Sequence, residues 1–113
     1  MTKVKVSGYN ERVYFEASGH AFSTVMGAIE MQNDAERVCA AISILMLSAA
    51  HRLKEMESAG DFYSSVITVE NGYALFDIEP REDARERVEE IIEILCAGIS
   101  LLEENYPAFI TLT

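Results

Sequence analysis

Two runs that alternate apolar and polar residues, "FYSSVITVE" and "YALFDIE", are separated only by Asn71-Gly72. Asn-Gly turns a chain back on itself in two residues because both tolerate positive φ. This stretch is therefore an antiparallel hairpin. One of its faces is apolar, with Tyr63, Ile67 and Val69 on the first strand and Ala74, Phe76 and Ile78 on the second. Such a face has to be covered, and helical patterns flank the hairpin on both sides. From about Asp34 to Glu57, Val38, Ile42, Leu45, Ala49, Leu53 and Met56 recur every three or four residues. Cys39, Met46 and Ala50 widen that stripe, so the helix is expected to be buried against a sheet or a second subunit. Asn33 or Asp34 caps it, and Asn33 with Glu36 resembles a capping box. Pro80 ends the hairpin. The run "REDARERVEEIIEILCAGISLLEENY" follows, with an apolar stripe of Ala84, Val88, Ile91, Leu95, Ile99 and Leu102. The acidic residues of its first half suit the positive end of a helix dipole.

Outside this α-hairpin-α block, Val4 and Val6, then Val13, Phe15 and Ala17, read as two short strands around a "GYNE" turn. "FITLT" reads as a terminal strand. The expected order is ββαββαβ, an α+β fold with a mostly antiparallel sheet and two long helices on one face. The 113 residues form one expected domain, 1–113. The longest apolar run, "VCAAISILMLSAA", is too short to cross a bilayer, and the N-terminus lacks the apolar centre of a signal peptide. A cytoplasmic location is expected.

The formal net charge is −10. No basic face is available to neutralise phosphates, so direct nucleic-acid binding is not expected. The acidity is compatible with basic protein partners, and equally with solubility alone.

The chain has two cysteines and two histidines. A structural disulfide is not expected in an unsecreted chain of this size. Cys39 stands near the start of a helix, where amides and the macrodipole favour a thiolate and where His20 can serve as its base. It also borders an apolar stripe, where a small buried cysteine is ordinary. Cys96, late in the second helix beside Ile92 and Leu95, reads as a core residue, and His51 as a solvent-facing one. No Cys-x-x-Cys or His-x-x-x-His spacing supports zinc, and no cofactor or metal is expected.

Two short motifs bear on the choice for Cys39. "GHA" at Gly19–Ala21 and "VCAAIS" at Val38–Ser43, with the closing "LLEENYPAFITLT", resemble the ribosomal-processing cysteine protease family, Prp, and the likeness runs along the whole chain. The resemblance implies a catalytic dyad of Cys39 as nucleophile and His20 as general base. It implies removal of a short N-terminal extension from a large-subunit ribosomal protein, and a homodimer. Glu36 stands where the family usually has an aspartate, with Asp34 a nearby rival; Gly19 and Ser43 belong to the motifs. The alternative is a non-catalytic or phage-protein-directed homologue acting as a dimeric binding or assembly module. The His20–Cys39 interval is longer than the family's by about seven residues, roughly two helical turns. It carries Phe22, Val25, Met26, Ile29 and Met31, candidates for a substrate-contacting loop or for an extra helix packed on the core.

Overall fold

The Asn71-Gly72 turn joins strands at Phe62–Glu70 and Tyr73–Pro80, with Glu70 opposite Tyr73 and Gly72 at φ +79°. The computed structural model describes residues 2–9, 12–19 and 34–112. In chain order the elements are β1 (Thr2–Tyr9), β2 (Arg12–Ser18), α1 (Asp34–Ser58), β3 (Phe62–Glu70), β4 (Tyr73–Pro80), a 3-10 turn (Glu82–Ala84), α2 (Arg85–Asn105) and β5 (Ile110–Leu112). The fold is α+β in the order ββαββαβ. Asn10 and Glu11 of the "GYNE" turn and the cap candidate Asn33 lie outside the described residues.

The five strands form one sheet in the order β3-β4-β2-β1-β5. β2 pairs antiparallel with β4 and so joins the two hairpins, while β5 lies parallel to β1. Along β2 and β4 every second residue is buried, which gives the sheet one covered face and one open face. The covered face contributes Phe15 and Phe76, directly opposite in register with ring centroids 5.6 Å apart. A stacked pair of this kind adds about 0.5–1.5 kcal/mol beyond its burial. Val38, Ile42, Met46 and Leu53 of α1, and Val88, Ile92, Leu95 and Ile99 of α2, close the core above it. No helix among the described residues is long and apolar enough to cross a membrane.

Three details differ from the sequence pattern. A β-bulge between Phe62 and Ser64 shifts the phase of β3. Phe62, opposite Pro80, therefore packs on the core, while Tyr63 is displaced and 57% exposed under the Arg81 guanidinium, 4.7 Å from its ring centre. On α2 the buried position is Ile92 rather than Ile91. On α1, Met46 is fully buried and Leu45 only half-buried; Leu45 lies against α2, where a Cβ on Gly98 would come within 3.0 Å of its Cδ1.

The helix α1 closes on Gly60, whose φ of +82° lets the Asp61 N–H reach back to the Met56 carbonyl (3.0 Å). The connection to β3 is thus short, and Ser65 donates to Glu57 across it. α1 therefore runs antiparallel to β3, on which it packs.

Candidate active site

That antiparallel arrangement decides which end of the sheet α1 presents its first turns to. From Cys39 to Ser58 the helix rises about 28 Å at 1.5 Å per residue. Over Phe62–Glu70, β3 advances about 26 Å. Measured from the Gly60 connection, Cys39 thus stands about as far along α1 as Glu70 and the Asn71-Gly72 turn stand along β3.

The end of β2 arrives at the same level. Ser18 pairs with Tyr73, and Gly19 follows at φ +140°, a conformation residues with a side chain rarely adopt. The Gly19 N–H donates to the Gly72 carbonyl (2.9 Å). A Cβ on Gly72 would lie 2.7 Å from the Gly19 carbonyl oxygen, so the two backbones cross where only glycine fits. The direction in which the chain leaves toward residue 20 is tied to the β3–β4 turn.

Cys39 is half-buried and not disulfide-bonded. It sits in the second turn of α1, beside the fully buried Val38. Glu36, half-buried, precedes it by three residues, and Ser43, fully buried, follows by four; both spacings place neighbours along one side of a helix. Asp34 is the first residue of α1. His20, Phe22, Val25, Met26, Ile29 and Met31 lie outside the described residues.

The remaining chemistry-bearing residues stand apart. Cys96 is half-buried on α2 against the core, and burial, followed by the Glu93 carboxylate, pushes its thiol up. That is the environment of a resting core cysteine. His51 is exposed on α1, about 18 Å along the helix from Cys39. A hollow lined by Arg52, Glu86, Arg87 and Glu90 lies still further from Cys39 and shares no residue with the site.

Two features escape a reading of the sequence. One is the Gly19–Gly72 crossing: Asn-Gly announces a turn but not what the turn touches. The other is on the open face of the sheet, where the Glu16 carboxylate accepts hydrogen bonds from the Tyr14 hydroxyl (3.0 Å) and the Tyr73 hydroxyl (3.1 Å). Burial and then the Glu16 carboxylate raise both phenols above their ordinary range. Tyr73 is the cross-strand partner of both Ser18 and Glu70, so this network borders the site.

A free, half-buried cysteine near the start of a helix is a residue suited to thiol chemistry. The family model described as "Cysteine protease Prp" matches residues 1–111, and the chain belongs to that family of cysteine proteases. Among solved structures, SMU.848 from Streptococcus mutans is 25% identical, with a TM-score of 0.64 over 100% of this chain and 92% of that one. The essential ribosomal processing protease Prp from S. aureus, in complex with a substrate peptide, is 17% identical, with a TM-score of 0.66 over 100% of this chain and 98% of that one. The same S. aureus protein with a covalently linked product peptide is 18% identical, with a TM-score of 0.66 and the same coverage. At these identities the S. aureus structures speak for the fold. No curated protein matches the chain.

Proposed function

We propose that the chain is a cysteine endopeptidase that removes a short N-terminal extension from a large-subunit ribosomal protein in the cytoplasm. Cys39 is the nucleophile and His20 its general base. The observation that carries this reading is the match of the Prp family model to residues 1–111, in a chain with Cys39 in the second turn of α1 and His20 directly after Gly19, whose backbone is bonded to the β3–β4 turn. The S. aureus relative bound to a substrate peptide and to a covalently linked product peptide supports it.

In this mechanism His20 takes the Cys39 proton, and the thiolate attacks the scissile carbonyl. Amides at the start of α1 stabilise the tetrahedral oxyanion. The C–N bond then breaks, the departing amine takes the proton from His20, and a thioester remains on Cys39. Water, activated by His20, hydrolyses the thioester and restores the thiol. Glu36 or Asp34 supports this machinery or caps the helix, and the buried Ser43 stands one turn after Cys39 on α1. Phe22, Val25, Met26, Ile29 and Met31 are candidate substrate contacts. The net charge of −10 suits a basic ribosomal substrate. We also propose a homodimer.

The test is cleavage of a peptide copying the extension across its processing site. Cys39→Ala is expected to lower the rate by about a thousandfold or more. Cleavage that persists at the parent rate removes Cys39 from the mechanism. The longer His20–Cys39 interval favours one other reading, a binding or assembly module, for which the parent protein binds such a peptide and leaves it intact.

A further inference from the structure

The two edges of the sheet are finished differently. β5 is three residues long, and the Leu112 N–H is taken by the Glu103 carboxylate (2.6 Å). β3 is nine residues long, and among the described residues no strand pairs with its outer side. Proteins ordinarily blunt such an edge with lysine, proline, a bulge or a short length. β3 has no lysine, arginine or proline, and its middle, Val66-Ile67-Thr68-Val69, is β-branched throughout. Val66 is 45% exposed. Its one irregularity, the bulge at Phe62–Ser64, lies at the end remote from Glu70 and the Asn71-Gly72 turn. The half of β3 nearest the candidate site is the half left regular.

We infer that this edge is the track on which the extended substrate peptide docks, adding a sixth strand beside β3. The inference rests on the protease reading and gives it a binding site. Three observations choose the occupant. First, β3 runs toward Glu70 and the turn that holds Gly19, so a peptide laid along it arrives level with Cys39. Second, α1 packs on β3, so the helix that carries Cys39 lies over the same edge strand. Third, the chain has a net charge of −10 and β3 ends on the exposed Glu70, while the cations on the strand, Arg81 over Tyr63 and Arg12 on Ser64, stand at its bulged end, away from Glu70. That potential fits a basic peptide. Main-chain hydrogen bonds along the edge would supply affinity, and alternate side chains of the peptide would be read on the two faces of the sheet.

The experiment uses full-length Cys39→Ala protein and a synthetic peptide copying the extension across the processing site. A parallel set of peptides each carries one backbone N-methyl group. Bound peptide is expected to slow amide exchange within residues 63–69 by about tenfold or more. N-methylation is expected to weaken binding by about tenfold at every second peptide position and little in between. A peptide that the parent protein cleaves, but that leaves β3 exchange unchanged or shows no period of two, overturns the edge assignment alone. Amides of β3 that are protected without peptide and released on dilution identify a second copy there, and overturn it too. A peptide neither bound nor cleaved overturns the protease reading and this inference with it.

Discussion

Gly72 does two jobs at once, and a neighbouring glycine separates them. Gly60 and Gly72 share nearly the same backbone conformation, φ +82° and +79°. A Cβ on Gly60 would meet nothing within 4 Å, whereas one on Gly72 would meet the Gly19 carbonyl at 2.7 Å. Gly60→Ala is therefore expected to cost only the left-handed backbone penalty, about 1–2 kcal/mol. Gly72→Ala adds displacement of Gly19 to that penalty, for a total of about 2–4 kcal/mol. Because Gly19 leads into His20, peptide cleavage should fall at least about tenfold in Gly72→Ala, beyond what unfolding explains, and stay near parent in Gly60→Ala. Urea unfolding and peptide cleavage on both variants check this. Equal losses in the two would mean that the crossing is soft and does not position the site. None of this is written in the local sequence: Gly19 and Gly72 lie far apart in the chain, and no periodicity connects them. The proposed roles of Cys39 and His20 rest on the motifs around them, because a cysteine near a helix start and a histidine after a glycine are each common.

At the scale of elements, period and turn chemistry carried the prediction well. Both hairpins, both helices and β5 stand where alternation, the 3.6 period and Asn71-Gly72 put them. What period does not contain is packing. It cannot choose between Ile91 and Ile92, which straddle the centre of one stripe, and it cannot foresee the bulge that exchanges Phe62 for Tyr63. Nor does alternation reveal that the polar face of β2 and β4 is organised around Glu16. That cluster has a consequence at high pH. In the folded chain Tyr14 and Tyr73 hold their protons above the ordinary phenol range, through burial first and Glu16 second. Once the pH passes about 10, the unfolded chain releases phenolic protons that the folded chain still holds. The unfolded state then binds fewer protons, so stability falls as pH rises through that window and is intact below it. Glu16→Gln removes the carboxylate but leaves the burial, so its stability should fall less steeply between pH 9 and 11 than the parent's. Urea midpoints across that range measure the difference. Identical slopes would show that the carboxylate does not hold the phenols.

For the whole molecule, the breadth of the apolar surface on α1 is the feature that sequence reading turned into a dimer, and the fold shows how that surface is divided. Val38, Ile42, Met46, Leu53 and Met56 go to the core, and Leu45 goes to α2. Ile44 remains 52% exposed, and across the groove between the helices Ile94 and Leu101 of α2 are 68% and 60% exposed. Three of the five large apolar side chains exposed among the described residues thus lie on the outer side of the helical layer. An apolar ridge on two antiparallel helices is self-complementary under a twofold axis, which is the commonest way for one patch to bury itself. The parent protein is expected to be dimeric by light scattering at micromolar concentration. Ile94→Glu with Leu101→Glu should convert it to a monomer while retaining its circular-dichroism spectrum, since neither side chain contributes to the core. A parent that is monomeric throughout the micromolar range, or a double variant that stays dimeric, would move the subunit contact away from this face.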